Sequence, residues 1–353
     1  MPKDERSSSR RDLLKSAVAG TAAGLGGIYL SRRSALRDRL VEESKGVAES
    51  VRRFPGFGYG GNPVHLADIV GASPVLEADR DQPGYWKGAP ALEHDAENGR
   101  LLTHVRHRDP KHRGYLVSIS QVDHETLNLD ELIAIPKQDL NARSMEGGEL
   151  IVEDGKFRWF LSYQHAASGD WRIQERRAST IEGMQSGGTD LDIDSQYTHH
   201  KDPTAINEVL YFLSSSKNWL WSQPEKVALD GERKVATGLT VRGVGNARIT
   251  GGGLLDGEIF ADTWPDFPGT NTSNVLWTTD ERNATGFLDS DTVHIPSGEY
   301  FISRSDGSVT YVDAEIVGET VYLLWQAEQS DGSKDLVGGK LGVEEYSRIF
   351  TPS

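Results

Sequence analysis

Asp202-Pro203-Thr204-Ala205-Ile206, followed by Leu210-Tyr211-Phe212-Leu213-Ser214, is a carboxylate leading into an apolar strand, a short break, and a second strand rich in aromatics. The phrase returns three more times. It reads Gly88-Ala89-Pro90-Ala91-Leu92 with Leu101-Leu102-Thr103-His104-Val105, and Glu149-Leu150-Ile151-Val152 with Phe157-Arg158-Trp159-Phe160-Leu161-Ser162. The last copy is Asp313-Ala314-Glu315-Ile316-Val317 with Val321-Tyr322-Leu323-Leu324-Trp325. Anchored on Leu92, Ile151, Ile206 and Ile316, the intervals are 59, 55 and 110 residues. The third is twice the second, which places a hidden unit near residue 261. There Gly253-Leu254-Leu255-Asp256-Gly257-Glu258-Ile259-Phe260 leads, after a longer insertion, to Asn274-Val275-Leu276-Trp277-Thr278-Thr279. A repeat of about 40–50 residues built from short strands marks a propeller blade, because each unit buries its apolar faces only against its neighbours. Five units occupy 64–345. The expectation is an all-β chain forming a closed five-bladed β-propeller within 63–353.

Composition agrees. Eight Trp and eleven Tyr supply large buried area in a chain that is 37% apolar. The mean hydropathy of −0.50, with 38 Gly and 14 Pro, suits many short strands joined by turns. No run of 18 apolar residues predicts a membrane span. The net charge of −15 argues against nucleic acid, whose phosphates an acidic surface repels. Only 13 of the 38 basic residues are Lys, and such an acidic, Lys-poor surface resembles proteins of salt-loving archaea. There is no Cys, so disulfides, thiolate metal sites, a cysteine nucleophile and a lipoprotein anchor are excluded. A monomer held by packing alone is expected.

The first sixty residues read differently. Ser9-Arg10-Arg11-Asp12-Leu13-Leu14-Lys15 resembles the twin-arginine export motif, and Ser16 to Leu30 is a weakly apolar run of the kind found in signal peptides. Residues 1–30 are therefore expected to be a signal segment, and the chain secreted or at the cell surface. No A-x-A site follows, so membrane contact is expected only where the segment stays uncleaved as an anchor. Residues 31–62 read as a short helix or linker, broken by Pro55-Gly56-Phe57-Gly58-Tyr59-Gly60-Gly61. Val64 to Val70 is expected to close the ring against the last strands.

In a propeller the innermost strands converge on one axial pocket, so residues at their starts become neighbours. These positions are Trp86-Lys87-Gly88, Met145 to Glu149, Lys201-Asp202-Pro203, either Asn246-Ala247-Arg248 or Asp256, and Tyr311 to Glu315. Carboxylates recur among them: Glu146 or Glu149, Asp202, and Asp313 or Glu315. Glycoside hydrolysis needs two carboxyl groups across the scissile bond. Their convergence is expected to raise the pKa of one of them, making it a proton donor. The plainer reading of each is a cap on a turn. On His104-Val105-Arg106-His107-Arg108, alternation puts His104, Arg106 and Arg108 on one strand face. With His200 these would bind hydroxyls, or the carboxylate or sulfate of an acidic sugar, if they reach the pocket. The alternative is a solvated blade edge. Trp86 is placed at the pocket, and Trp264 is the best candidate for an exposed sugar platform. His199 and His200 point opposite ways along a strand, which discounts a metal pair. Asp190-Leu191-Asp192-Ile193-Asp194 fails as an EF-hand, since Ser195 and Lys201 stand where Gly and Glu are required. A looser structural Ca²⁺ site competes there with a solvated acidic loop, and no other cofactor is expected.

These phrases resemble the five-bladed propeller glycosidases around glycoside hydrolase family 43. Trp86 with Gly88-Ala89-Pro90 resembles that group's first strand start, Lys201-Asp202-Pro203 its Asp-Pro start, and Met145-Glu146-Gly147 its Glu-Gly acid strand. Gly155 to Tyr163 resembles its recurring G-K-Y-Y-L-F-Y-S strand. The similarity covers most of 64–345. Two departures stand out: Glu146 precedes Asp202 here, and no Asp opens the first blade. The resemblance implies an exported glycosidase acting on a polysaccharide or oligosaccharide, with Glu146 as acid, Asp202 as base or modulator, and Glu315 as the substitute acid. The alternative is a non-catalytic propeller that binds glycan or a cell-surface partner.

Overall fold

The computed structural model describes residues 63–65, 72–206, 208–216 and 309–350, and, with gaps, 222–302. Two short strands come first, β1 (Pro63–His65) and β2 (Ser73–Leu76). Blade one follows as β3 (Trp86–Asp95), β4 (Arg100–Asp109), β5 (Arg113–Val122) and β6 (Leu129–Pro136). Blade two is β7 (Ala142–Glu153), β8 (Lys156–His165), β9 (Trp171–Ala178) and β10 (Thr189–Asp190). After β11 (Ile193–Asp194), blade three is β12 (His199–Ile206), β13 (Val209–Ser215) and β14 (Ser222–Ala228); past β15 (Lys234–Val235) it is completed by β16 (Thr237–Gly238). After β17 (Thr240–Arg242), blade four is β18 (Ala247–Gly252), β19 (Glu258–Thr263) and β20 (Asn274–Thr279); past β21 (Thr292–His294) it ends in β22 (Tyr300–Ile302). Blade five is β23 (Val309–Val317), β24 (Thr320–Glu328) and β25 (Lys334–Gly342), and helix α1 (Val343–Phe350) ends the chain. The first strands of successive blades, β3, β7, β12, β18 and β23, touch one another in that order, and β23 touches β3. The ring therefore closes with five blades.

Local chemistry makes each antiparallel pair. The link between β7 and β8 is Asp154-Gly155, with φ of +50° and +66°, the left-handed pair that a two-residue hairpin needs to match strand twist. Packing then joins the blades. Leu102, Val117 and Ile133 of blade one bury against Leu150, Trp159 and Leu161 of blade two. Phe160 and Ile173 meet Leu210, Phe212 and Val227 of blade three. Phe260 of blade four meets Val312, Leu323 and Trp325 of blade five, and Tyr346 of α1 seals this cluster. Leu92, Leu101 and Val105 meet Tyr322, Leu324 and Leu336 across the blade five to blade one join. Trp159 and Trp325 sit between blades, as their mid-strand positions predict.

Two expectations change. Closure is made by β2, which pairs antiparallel with β25 as the fourth strand of blade five; Val75 and Leu76 pack on the cluster around Leu336. Residues 63–65 instead pair with β22 of blade four. The first strand of blade four is Ala247–Gly252, upstream of the expected 253–260, and Gly251 and Gly252 lie in it rather than in a turn. A side chain at Gly251 would stand 2.5 Å from Asp313 Oδ1 and 2.8 Å from the Val312 carbonyl, so glycine allows the innermost strands of blades four and five to approach. The signal segment over 1–30 lies outside the described residues.

The innermost strands largely lack a partner on their axial edge, so their N–H groups need acceptors. Neighbouring blades supply carboxyl groups. Leu92 N–H donates to Asp313 Oδ2 at 2.6 Å, Val152 N–H to Glu93 Oε1 at 2.6 Å, and Ala205 N–H to Glu149 Oε2 at 2.9 Å. Burial, and then the nearby Glu315, Asp313 and Asp95, push the Glu93 carboxyl up to about 8 against the Val152 N–H. Burial raises Glu315 to about 7. Burial and then Asp313 raise Glu149 well above the usual range. The unfolded chain ionises such groups near 4.5, whereas the fold keeps their protons. Stability is therefore full below about 4.5 and is lost as pH rises through 7 to 8. Glu93→Gln keeps an oxygen for Val152 and removes the titration. Its melting temperature at pH 8 is expected to exceed the parent's by several degrees, with the two converging at pH 5, as read by calorimetry across that range.

Candidate active site

All five innermost strands carry a bulge near their start. The pairing slips between Gly88 and Ala91, Met145 and Gly148, Lys201 and Thr204, Ile249 and Gly251, and Thr310 and Asp313. A bulge leaves a residue out of the ladder and re-aims its side chain. The first bulged residues are Ala89, Glu146, Asp202, Thr250 and Tyr311. Ala89, Asp202 and Tyr311 have φ of +52°, +53° and +54°. The left-handed region costs a residue with a Cβ about 1–2 kcal/mol, so surrounding contacts must hold these three in place.

Around the axis these positions form one polar cluster. Asp202 is 3% exposed. Its Oδ1 accepts from the Gly147 N–H at 3.1 Å and the Tyr311 hydroxyl at 3.2 Å, and its Oδ2 accepts from Arg248 at 2.7 Å. Lys201 Nζ lies 3.5 Å from the same Oδ2. Arg248 also stacks 3.6 Å over the Tyr311 ring and donates to its hydroxyl at 2.5 Å. Glu146 is in an ion pair with Arg106 and stands 3.7 Å from Arg108 Nη1. Arg106 is buried and also donates to Gln326 Oε1 at 2.9 Å, and Gln326 in turn donates to Thr310 Oγ1. Trp86 lies under both arginines, 4.0 Å from Arg108 and 5.8 Å from Arg106.

The structure thus brings together Glu146, Asp202, Trp86, Arg106 and Arg108. Two other candidates lie elsewhere. Glu315 is past the bulge, among the buried carboxyl groups facing Glu93, with its Oε1 on the Ile316 N–H. His200 bonds Ser214 Oγ at 2.9 Å and packs edge-on against Phe212; burial lowers its pKa. Trp264 lies outside the described residues. Sequence reasoning placed Lys201, Arg248 and Tyr311 among the axial positions without giving them a role, and it missed Gln326 as a member. The signal for Tyr311 was its distance from the earlier bulge residues: 89, 146, 202 and 311 are spaced by 57, 56 and 109. Asp190 is engaged by Tyr163 and Arg172, and among the described residues no group of three or more ligands could hold a metal.

Electrostatics sets the state of Asp202. Burial alone would raise the Asp202 carboxyl, but Lys201, Arg248 and Arg106 outweigh it and hold it well below the usual carboxylate range. Convergence with a second carboxylate does not make Asp202 a proton donor, because cations stand between and around the two. Burial, first of all, pushes the Tyr311 phenol up, so it stays a hydrogen-bond donor. A groove of about 510 Å³ lined by Glu153, Phe157, Arg158 and Arg177 opens at the far end of β7 and β8 and contains none of these groups.

No protein-family model matches this sequence, and no curated protein does. Solved structures match its shape. The GH43_1 enzyme from Xanthomonas citri superposes with a TM-score of 0.52 at 11% identity, over 78% of this chain and 93% of that one. The same enzyme complexed with xylose aligns equally well. A GH43 β-xylosidase/α-arabinofuranosidase from a compost microbial metagenome, in complex with xylotriose, gives 0.51 at 7% identity, over 77% and 94%. At such identities the likeness is one of fold.

The cluster sets its own stability test. Arg248→Met removes the cation that hydrogen-bonds Asp202, leaving its buried charge to Lys201 and Arg106, and is expected to cost about 3–5 kcal/mol. Tyr311→Phe keeps the ring beneath Arg248 and removes one hydroxyl, at about 1–2 kcal/mol. Asp202 has a lowered pKa, so its contribution is present above its unfolded value of 3.8 and lost as pH falls below it. The gap between parent and Arg248→Met in urea unfolding should narrow accordingly between pH 5 and pH 3.

Proposed function

We propose that this chain, which has the five-bladed fold of the family-43 glycoside hydrolases, itself cleaves glycosidic bonds at the inner-strand bulges. One observation carries the reading: the first bulged residues of successive blades, Glu146 and Asp202, are both carboxylates and share one polar cluster on the axis. Glycoside cleavage needs one carboxyl to protonate the leaving oxygen and another to meet the charge developing on the sugar ring. Asp202 stays ionised, which fits it to stabilise that charge and to fix the site. Glu146, whose side chain is 12% exposed against 3% for Asp202, is the group a ligand reaches, and it takes the proton-transfer role. Trp86 offers an apolar face for a sugar. The substrate class is carbohydrate, in keeping with the xylose and xylotriose bound by the solved structures of this fold.

A second reading, glycan binding without turnover, is favoured by Ala89. It occupies the bulge position of blade one, where no carboxylate is available. Hydrolysis of a panel of aryl glycosides and polysaccharides, at low and high salt, separates the two. On any substrate found, Glu146→Gln and Asp202→Asn are expected to lose about 10²–10⁴-fold in kcat, with folding checked by circular dichroism. Full activity in both folded variants would overturn the assignment, and saccharide binding with no turnover on any substrate would select the second reading.

Export by the twin-arginine route is proposed on the Ser9–Lys15 motif and the apolar run after it. Replacing Arg10 and Arg11 together by Lys is expected to abolish secretion, measured by cell fractionation; unchanged secretion of the variant rejects the signal.

A further inference from the structure

The charge of the axial cluster runs against the charge of the molecule. The chain carries −15 overall, yet Glu146 and Asp202 are surrounded by Arg106, Arg108, Arg248 and Lys201. Among the described residues, four cations face these two carboxylates. Arg248 and Lys201 are directed at Asp202, and Arg106 at Glu146 and Gln326. Arg108 is different. At 3.7 Å from Glu146 its Nη1 is beyond a hydrogen bond, and its Nε is buried with no hydrogen-bond partner among the described residues. Its side chain is 28% exposed, the most open of the four cations that face these carboxylates.

Arg108 and Trp86 are direct cross-strand partners, and the guanidinium lies 4.0 Å over the indole ring. The Trp86 Nε1 is likewise buried without a partner among the described residues. A buried N–H left unmade costs about 1–3 kcal/mol, and here two stand side by side on paired strands at the mouth of the cluster. Stacking on the indole holds the guanidinium plane in one orientation, so less freedom is lost when it binds. Unmet donors and a planar cation stacked on an indole together describe a receptor for an oxyanion.

We propose that Arg108 and Trp86 form a subsite for an anionic substituent of a sugar, a uronate carboxylate or a sulfate ester, so that the glycan taken by this protein is acidic. The substrate class rests on the hydrolase reading above; the binding preference does not. A neutral sugar offers both donors no charged acceptor, and sites built around such groups discriminate against ligands that lack the matching acceptor.

The test is a calorimetric titration of the full chain with methyl glucuronides and galacturonides, their neutral methyl esters, the corresponding 6-sulfated glycosides and the unsubstituted glycosides. An anionic glycoside is expected to bind at least about 10-fold more tightly than its neutral counterpart, and the carboxylate and sulfate arms identify which anion is preferred. Arg108→Gln should abolish that preference. Trp86→Phe, which keeps an aromatic ring under Arg108 but removes the N–H together with the five-membered ring that bears it, should reduce it several-fold. Equal binding of neutral and anionic glycosides overturns the proposal. So does a preference that survives in Arg108→Gln, or no binding of any probe by the folded parent. An acidic glycoside that binds through Arg108 without being hydrolysed leaves the subsite standing and counts against the hydrolase. Hydrolysis of neutral glycosides alone, with no anionic preference, does the reverse.

Discussion

The innermost strand of every blade has one edge that other strands leave largely uncovered, β3 meeting β25 only at Trp86, and the N–H groups on that edge must still find acceptors. Carboxyl groups of neighbouring blades meet this need: Asp313 for Leu92, Glu93 for Val152, Glu149 for Ala205, and Asp202 for Gly147. The axis is thus stitched by side chain to backbone bonds that run between blades, whereas the apolar clusters hold the blades together farther out. An acidic sequence suits this design, since blades five, one and two each contribute an acceptor to the next and blade three contributes one to blade two.

The same residue type behaves in opposite ways along the axis. Past the bulges, Glu93, Glu149 and Glu315 lie among one another with little compensating charge, and burial keeps their protons on. At the bulges, Asp202 is equally buried but surrounded by Lys201, Arg248 and Arg106, and it stays ionised. Burial alone does not decide protonation; the sign of the neighbours does. A hydrogen-bonding belt of carboxyl groups that burial favours in the protonated form thus underlies a charged cluster.

The bulge is the device that turns a repeated fold into one site. Five copies of one backbone irregularity present Ala89, Glu146, Asp202, Thr250 and Tyr311 toward the axis. The positions are equivalent, but the residues are not. Two supply carboxylates, one supplies a phenol that braces an arginine, and blade one supplies only a methyl group, beside which Trp86, Arg106 and Arg108 gather.

The sequence by itself determined the number of blades and the first two strands of four of them, because strand periodicity and the intervals 59, 55 and 110 are local properties. It also singled out Glu146 and Asp202, which open apolar strands, and the alternation that puts Arg106 and Arg108 on one face. It misplaced the first strand of blade four and the strand that closes the ring. Both depend on pairing between segments far apart in the chain: β2 meets β25 across more than 250 residues. Gln326 was hidden for the same reason, and the roles of Arg248 and Tyr311, though not their axial positions, were hidden with it, since each acquires its role only from a partner on another blade. The ionised state of Asp202 was likewise decided by tertiary structure. A charge is set by everything within a few ångströms, and most of what surrounds Asp202 comes from other blades.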